Sequence, residues 1–255
     1  MMTSTTENPK IVLHWLEQSR SQRILWLLEE LNVDYELKTY KRNKLTNLAG
    51  SQLKSIHPLG KFPVIEIYFA GQDEPVVLAE SGAIVEYLIE ISNNPTMSLQ
   101  DRENQSTTGV QKAKFLRLKY FLHYAEGSIM NVLLIAVMIT FLRTSRVFLL
   151  VRPLAKAIAW QLDQQYVKPS LSDHLSFLNN QVVTSDGGFL CGENLTGADI
   201  MMAFPLEVLK ARGNLEPQTY PELTTYLERL QQRDAYRRAA QKISDQTGKT
   251  SDVVL

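Results

Sequence analysis

The chain has 255 residues, of which 44% are hydrophobic and 21% are charged. This composition is close to the average of globular proteins, and it excludes a disordered, collagen-like or low-complexity architecture. Lysine plus arginine and aspartate plus glutamate each number 27, so the net charge is zero and no basic field favours nucleic acid as a partner.

The first nine residues are polar and lack the apolar core of a signal peptide, so nothing in them predicts secretion. The chain has a single cysteine, Cys191, which excludes an internal disulfide and fits a reducing compartment. We therefore expect a cytoplasmic protein.

Residues 9–93 carry alternating strand and helix patterns. Their periodicity predicts strands at 10–16, 34–39, 64–69 and 76–78, and helices at 19–31 and 81–91. The segment 41–55 is polar and ambiguous. A βαβ unit followed by ββα predicts a compact α/β layer with a mixed sheet.

The composition changes after residue 93. Residues 94–108 form a polar candidate linker, and no later segment has a convincing strand pattern. Helices are predicted at 110–126, 130–142, 147–166, 169–183, 197–210, 221–229 and 235–242. We expect residues 109–255 to form an all-helical domain.

The most apolar stretch, residues 132–151, is broken by Arg143, Thr144, Ser145 and Arg146. Its uninterrupted part, 132–139, is far shorter than the ~20 residues that a membrane span requires. The stretch therefore predicts a buried helix and not an integral membrane segment.

The segment 57–65, HPLGKFPVI, leads from a turn into a strand. Pro63 marks the start of that strand, because proline cannot donate a hydrogen bond to a ladder. A cis bond between Phe62 and Pro63 would turn the Phe62 amide and carbonyl outward, towards an extended peptide ligand. An ordinary Pro-Gly turn is the alternative.

Two serines lie at predicted helix starts. The helix that begins at Ser81 offers free N–H groups to a carboxylate, and the adjacent Glu80 can meet an ammonium, so the pair suits a zwitterionic amino-acid head group. Ser19 lies between the first strand and the first helix, where a hydroxyl and the helix dipole can stabilise a thiolate. For each serine the alternative is a helix N-cap.

Three further features favour structural roles. Thr196 and Asp199 have the spacing of a capping box at a helix start. The four histidines lack metal-ligand spacing, so no metal site is expected. Cys191 has no histidine beside it, which favours a packed thiol over a nucleophile.

The sequence features described above occur in the same order as in the cytosolic glutathione transferases. The chain resembles a fungal GTT-type member of that family, of the serine type. The most specific segments are HWLEQSRSQRILWLLEEL, IHPLGKFPVIE, LAESGAIVEYL, HYAEGSIM and LTGADIMMAFPLE. The resemblance implies an α+β architecture, with a thioredoxin-like N-terminal domain that binds glutathione and an all-helical C-terminal domain that helps to bind an electrophile. It also implies a homodimer.

The resemblance assigns glutathione contacts to residues of the first domain. Glu80 and Ser81 match the pair that holds the γ-glutamyl head, and Phe62 matches the residue whose backbone pairs with the cysteinyl unit. Lys61 matches a position that helps to hold the tripeptide. Lys54 is a candidate for a further basic contact.

The resemblance also indicates how the thiol is activated. Ser19 matches the residue whose hydroxyl holds the thiolate. Ser21 would match it in an alternative alignment. No tyrosine or cysteine lies between Leu13 and Ser21, which argues against the tyrosine-type and cysteine-type branches. Tyr120 and Tyr124 are candidates to line the electrophile pocket, although packed helix cores give the same pattern.

The expected function is conjugation of glutathione, as co-substrate, to small hydrophobic electrophiles, or reduction of hydroperoxides. A non-catalytic ligand-binding protein and a regulatory protein on the same fold are alternatives. The presence of Glu80, Ser81 and Pro63 favours glutathione binding and argues against the regulatory alternative.

Overall fold

A computed structural model describes residues 9–43, 50–98, 108–144 and 151–248. The chain divides into two compact units. The described residues up to 98, together with those from Leu230 onward, form the first unit, and residues 108–229 form the second. Sequence analysis assigned all of 109–255 to one helical domain, whereas here the last helix groups with the sheet.

The first unit is built on a four-stranded mixed sheet, as predicted. Its strands are β1 (Lys10–Leu16), β2 (Tyr35–Tyr40), β3 (Val64–Tyr68) and β4 (Val76–Ala79), in the order β2-β1-β3-β4. β1 is parallel to β2 and antiparallel to β3, and β3 is antiparallel to β4.

β1 has the sequence KIVLHWL, which is mostly apolar, and it lies in the interior of the sheet between β2 and β3. Six of its seven residues are buried, as expected for a strand covered on both faces. Helix α1 (Ser21–Leu31) connects β1 to β2 and ends at Asn32, whose φ of 52° gives the left-handed C-cap that stops the helix. Helix α2 (Ser81–Ile91) has the predicted bounds.

The short helix α3 (Pro95–Ser98) lies where the linker was expected to begin, and residues 99–107 of that linker lie outside the described residues. The second unit is helical, as predicted. It contains α4 (Gly109–Tyr124), α5 (Met130–Thr144), α6 (Arg152–Leu162), α7 (Lys168–Val183), α8 (Gly197–Ala211) and α9 (Pro221–Gln231). Apart from a bridge between Phe189 and Gly192, its described residues form no strand.

Two predicted helix breaks are absent. The π-helical segment Ala125–Ile129 joins α4 to α5, and Asp163–Val167 joins α6 to α7. A π-turn accommodates an extra residue without ending the helix, so the periodicity shifts while the backbone stays helical. The predicted breaks at 127–129 and 167–168 are therefore wrong.

Burial of the apolar stretch is only partial. α5 buries Val132, Leu133, Ala136 and Ile139. The continuous helix Gly109–Arg143 is long and apolar enough to cross a membrane by length and composition, and 39% of its most apolar window is buried. The central residues of the connection from α5 to α6, 145–150, lie outside the described part of the chain.

The predicted capping box at the start of α8 is present. The Asp199 carboxylate is fully buried and accepts hydrogen bonds from the Thr196 backbone N–H at 2.8 Å and the Thr196 hydroxyl at 2.9 Å. It also accepts from the Leu190 N–H and the Tyr226 hydroxyl, both at 2.8 Å. Four donors to one buried carboxylate fix this helix start, which supports the structural reading.

Helix α10 (Asp234–Thr247) packs against α1 through ion pairs. The buried Glu29 carboxylate accepts from Lys242, from the Tyr35 hydroxyl and from Arg238 Nε at 3.1 Å. Burial acts to raise the pKa of Glu29, but these hydrogen bonds outweigh it and hold that pKa below its usual value. Glu29 therefore anchors the last helix as a carboxylate.

We predict that Glu29→Gln lowers the free energy of unfolding by about 2–3 kcal/mol at neutral pH, because charged hydrogen bonds are lost at a buried site. Since the folded-state pKa is lowered, this contribution is present above pH 4.5 and is lost as the pH falls further. Urea unfolding of the wild type and the variant between pH 3 and 7 measures the difference, which should narrow at the acid end.

Glu90→Gln, an exposed change on α2, is the matched control and should alter stability by less than about 0.5 kcal/mol. An equal effect of the two substitutions would contradict the anchoring role of Glu29.

Candidate active site

Three strand ends meet at one edge of the sheet. The antiparallel register pairs His14 of β1 with Val64 of β3, and Val64 with Ala79 of β4. The end of β1, the start of β3 and the end of β4 are therefore adjacent. The segments that continue from these ends carry Ser19, Phe62 and Glu80, so the fold brings together three signals that the sequence gives separately.

The Phe62–Pro63 bond is cis, which is the first of the two alternatives considered for this segment. The Phe62 side chain is buried with Leu16 of β1 and Leu53 of the 3₁₀ helix Ser51–Ser55. Its ring centroid lies 5.5 Å from that of Tyr40, at the end of β2. This packing fixes Phe62 between the ends of β1 and β2.

Both candidate lysines are exposed and are neighbours in sequence of residues in the Phe62 cluster, since Lys54 follows Leu53 and Lys61 precedes Phe62. Gly60 has a φ of 57°, and a Cβ there would lie 3.3 Å from Lys54 Cγ, so the stem of Lys54 passes over Gly60. Lys61 follows directly and is also exposed. A glycine suits this position because the backbone is left-handed and the lysine is close.

The start of α2 leaves backbone donors available. The first helical hydrogen bond is donated by Ile84 N–H to the Glu80 carbonyl at 3.0 Å, and no side chain caps the helix. Ser81 is thus the first helical residue and not an N-cap. Its N–H and those of Gly82 and Ala83 have no helical acceptor, and they lie at the positive end of the helix dipole, which suits an anion.

Glu80 adopts an unusual backbone conformation just before α2. Its φ is 70° and its ψ is 117°, which is sparsely populated for residues other than glycine. Such conformations cluster at functional sites, where the surrounding structure maintains them at a cost of about 1–3 kcal/mol. The Glu80 side chain is exposed and forms no ion pair with any residue that the structure describes.

Ser19 and Ser21 are linked by hydrogen bonds at the start of α1. Ser19 Oγ lies 2.7 Å from the Leu16 carbonyl and 2.9 Å from Ser21 Oγ, and it accepts from the Ser21 N–H at 3.1 Å. Ser19 has one hydroxyl proton, so it donates either to the Leu16 carbonyl or to Ser21 Oγ, and in the first case the Ser21 hydroxyl donates to Ser19 Oγ. Ser19 is 8% exposed and Ser21 is 0% exposed, so Ser19 is the more accessible of the two serines.

Arg42 is a feature of this edge that the sequence analysis missed. Its Nε donates to the Glu17 carbonyl at 3.1 Å, and Nη2 donates to the Gln18 carbonyl at 2.9 Å. Its backbone N–H donates to Glu17 Oε1 at 2.7 Å. Arg42 thus holds the turn that leads to Ser19, in which Gln18 has a left-handed φ of 50°. The predicted βαβ unit implies that β1 and β2 are parallel. Parallel pairing places the end of β1 beside the end of β2, which brings Arg42 next to the turn.

Tyr120 and Tyr124 lie in the second unit. Their rings stack with centroids 5.6 Å apart, and both contact Phe177 of α7. Tyr124 is buried and its hydroxyl is hydrogen-bonded to His174, whereas Tyr120 is half exposed. Tyr124 is therefore part of an aromatic core cluster, and Tyr120 is the member that has an open surface.

Cys191 also lies in the second unit and is buried. Burial, with a contribution from the Asp199 carboxylate, raises the pKa of the Cys191 thiol to about 12. Its thiolate is therefore negligible at neutral pH, which supports a packing role. Across the described parts of the chain, no group of three or more His, Cys, Asp or Glu is arranged to hold a metal ion.

An open cleft of about 620 Å³ lies at the opposite edge of the sheet. It is lined by Lys10 and Tyr35, at the starts of β1 and β2, and by residues at the ends of α1 and α2. It contains none of the candidate site residues.

Comparisons with known proteins agree with the predicted resemblance. A model of the "Glutathione S-transferase, N-terminal domain" family matches residues 9–90, and a model of the "Glutathione S-transferase, C-terminal domain" family matches residues 150–236. Glutathione S-transferase 1 of Saccharomyces cerevisiae is 30% identical over 92% of this chain and 95% of its own length. Glutathione S-transferase 3 of Schizosaccharomyces pombe is 27% identical over 93% of this chain and 89% of its own length.

Solved structures share the fold. A glutathione S-transferase from Actinobacillus pleuropneumoniae has a TM-score of 0.66 and 30% identity, and the match covers 95% of both chains. A glutathione transferase homologue from Lodderomyces elongisporus, solved with two GSH per subunit, has a TM-score of 0.65 and 19% identity, covering 90% of this chain and 97% of the other.

We predict that Arg42→Met destabilises the protein by about 2–3 kcal/mol, because two charged hydrogen bonds to the turn before Ser19 are lost. Amide hydrogen exchange of residues 18–21 should also accelerate, since the turn loses its tether. Urea unfolding and exchange mass spectrometry measure the two effects.

Lys41→Met is the matched control, because Lys41 is an exposed neighbour. It should change stability by less than about 0.5 kcal/mol. Unchanged exchange at residues 18–21 in Arg42→Met would show that the turn holds its shape without Arg42.

Proposed function

Because this chain belongs to the glutathione S-transferase family, we propose that it binds glutathione at the sheet edge and conjugates the glutathione thiol to small electrophiles. One observation carries the proposal: the uncapped start of α2, preceded by Glu80 at a φ of 70°, lies beside Phe62 at the edge where the Ser19 turn begins. Glutathione is the co-substrate of this family, and a homologue from Sulfitobacter was solved with bound glutathione.

The γ-glutamyl head of glutathione is a zwitterion with an ammonium and a carboxylate. In the proposed complex the carboxylate meets the free N–H groups and the hydroxyl of Ser81, where the helix dipole favours an anion. The ammonium meets the Glu80 carboxylate. The unusual Glu80 backbone supports this assignment, because it sets the direction of Glu80 relative to the N–H groups that follow.

The rest of the tripeptide extends along the same edge. The backbone of Phe62 pairs with the cysteinyl unit in the manner of a strand addition, and this directs the sulfur towards the turn that carries Ser19. The exposed ammonium groups of Lys61 and Lys54 contact the remaining acidic end of the peptide. Each lysine adds an attraction that salt will weaken.

Thiolate formation is the chemical step that the site promotes. A cysteine thiol has a pKa near 8.5, so only a few per cent of it is thiolate at neutral pH. We propose that Ser19 turns its hydroxyl from the Leu16 carbonyl to the thiolate, and that the Ser21 hydroxyl then donates to the Ser19 oxygen. Donation from Ser21 polarises the Ser19 hydroxyl and strengthens its donation.

The free energy of one hydrogen bond limits how far the Ser19 hydroxyl can lower the pKa of the glutathione thiol. A hydrogen bond to a charged group contributes about 1.5–3 kcal/mol of stabilisation. Loss of the hydrogen bond to the Leu16 carbonyl costs about 1 kcal/mol of this. At 1.36 kcal/mol per pKa unit, the net effect lowers the thiol pKa by about one unit. The thiol proton passes to solvent, and the thiolate then attacks the electrophilic atom of a small substrate and displaces its leaving group.

From the family we also propose that the protein is a homodimer in the cytoplasm. The sole thiol of the chain is buried with a raised pKa, which argues against glutathione-disulfide exchange as its activity. A steady-state rate with glutathione and a generic aryl halide tests the proposed function. Glutathione binding without turnover would instead indicate a ligand-binding protein.

We predict that Ser81→Ala weakens glutathione binding by about 1.5–3 kcal/mol, because one hydrogen bond to a carboxylate is lost. Isothermal titration calorimetry measures the affinity. Ser92→Ala, at the other end of α2, removes a hydroxyl that binds the Ile89 carbonyl and should leave glutathione affinity unchanged. Equal affinities of the Ser81 variant and the wild type would remove Ser81 from the site.

We predict that Ser19→Ala raises the pKa of bound glutathione by about one unit. The rate of conjugation should therefore fall about tenfold at pH 6.5 and change little at pH 9, where the thiol is ionised in both proteins. The pH dependence of the rate and an ultraviolet titration of the bound thiolate give the two measurements.

Ser21→Ala serves as the comparison for this experiment. Ser21 acts only through the Ser19 oxygen, so its removal should shift the thiol pKa by less than half of the Ser19 effect. A larger shift in Ser21→Ala than in Ser19→Ala would identify Ser21 as the donor. A helix cap without a catalytic role would cost Ser19→Ala about 1 kcal/mol of stability and leave the pKa of bound glutathione unchanged.

A further inference from the structure

Tyr40 is the last residue of β2, and its backbone is fixed to the end of β1. The parallel register pairs Tyr40 with Leu16, and the Glu17 N–H donates to the Tyr40 carbonyl at 3.0 Å. The Tyr40 side chain is partly buried against the cluster of Leu16, Leu53 and Phe62. Because the backbone is fixed, only the side-chain torsions of Tyr40 decide where its ring lies.

A hydrogen bond to a buried histidine holds that ring. The Tyr40 hydroxyl lies 2.8 Å from Nδ1 of His14, and the two rings stack with centroids 5.7 Å apart. His14 is 2% exposed, and its Nε2 lies 3.3 Å from Oε2 of Glu66 on β3. His14 therefore lies between a carboxylate on one side and the Tyr40 hydroxyl on the other.

The Glu66 carboxylate determines which nitrogen of His14 carries the proton. Burial lowers the pKa of His14 below its usual value, so the ring is neutral at pH 7 and has one proton. A carboxylate only accepts hydrogen bonds, which favours the proton on Nε2 and leaves Nδ1 as an acceptor. The Tyr40 hydroxyl then donates to Nδ1. Burial and the Glu66 carboxylate also raise the pKa of Tyr40, so this hydroxyl keeps its proton.

The other side of the Tyr40 ring contacts Phe62. The two ring centroids are 5.5 Å apart, with the ring planes tilted by 54°. Phe62 is 6% exposed, so its side chain has little room to move unless the Tyr40 ring moves as well. The contacts from Glu66 through His14 and Tyr40 thus end at the residue whose backbone lies at the candidate site.

We propose that Tyr40 is a positioning residue for glutathione, oriented by His14 and in turn fixing the place of Phe62. This role rests on the proposed function, in which the Phe62 backbone pairs with the cysteinyl unit. A displacement of about 1 Å at a group that positions a substrate is enough to lower a rate about 100-fold. Tyr40 does not itself touch the thiol in this scheme, because its only proton is donated to His14.

Isothermal titration calorimetry with glutathione tests the role of the Tyr40 hydroxyl. Tyr40→Phe keeps the ring and loses the bond to His14, so glutathione affinity should fall about 3- to 10-fold. Tyr35→Phe is the matched control, because it removes a hydroxyl that donates to Glu29 at the other end of the same strand. It should lower stability and leave glutathione affinity unchanged.

A double-mutant cycle tests whether His14 acts through Tyr40. His14→Leu removes the acceptor, and the double variant with Tyr40→Phe should bind glutathione within about twofold of either single variant. Independent effects would multiply instead. His14→Asn has an oxygen bonded to Cγ, as Nδ1 is in histidine, so it should retain more affinity than His14→Leu.

Amide hydrogen exchange gives a readout that needs no glutathione. Tyr40→Leu removes both the hydroxyl and the ring, so the amides of residues 60–62 should exchange faster than in the wild type. In Tyr35→Phe they should exchange at the wild-type rate. Urea unfolding of every variant identifies conditions in which each is folded, so that affinities are compared between folded proteins.

The outcomes separate this role from the proposed function. No glutathione binding by the wild type would contradict both. Binding by the wild type with equal affinity in Tyr40→Phe and Tyr40→Leu would contradict the role of Tyr40 alone, and so would multiplying effects in the double-mutant cycle. If Tyr40→Phe keeps its affinity but raises the pKa of bound glutathione, Tyr40 is a direct thiolate donor and the positioning role is wrong.

Discussion

The position of β1 between a parallel and an antiparallel neighbour is the constraint on which the site depends. Parallel pairing with β2 places the ends of both strands at one edge, and antiparallel pairing with β3 brings the start of β3 to that edge as well. β4 then ends beside the start of β3. Burial of six of the seven β1 residues favours this interior position, because an edge strand leaves one row of backbone groups unpaired.

Electrostatics at this edge follow from the same topology. α1 and α2 both begin where a strand ends, so two helix N-termini point to one region and favour negative charge there. Lys54 and Lys61 are exposed in the same neighbourhood, and Glu80 supplies one carboxylate in a backbone conformation that few residues adopt. A ligand with two carboxylates and one ammonium is complementary to this set. The serine pair adds a donor whose proton already has an acceptor, so the proposed contribution of Ser19 to thiolate formation is modest.

The helical unit is organised by a different interaction. Asp199 is a buried carboxylate with four donors, and it ties the start of α8 to Leu190 and to Tyr226 of α9. Around this network the helices pack closely, and Cys191 is enclosed beside it. α6 buries only Ala159 of its eleven residues, and its Leu154, Ile158 and Leu162 side chains are exposed.

The sequence by itself determined the element types, the mixed sheet, the helical second half, the capping box and the family, because these depend on local periodicity and short motifs. Tertiary structure decided the remainder. The hydrogen bonds of Arg42 to the turn before Ser19 join residues up to 25 positions apart in the sequence. The ion pairs of Glu29 with α10 join residues more than 200 positions apart. The difference in exposure between Ser19 and Ser21 and the exposed side of α6 are equally invisible in the pattern. The periodicity of a segment specifies which of its faces is apolar. Only packing against distant segments specifies what covers that face.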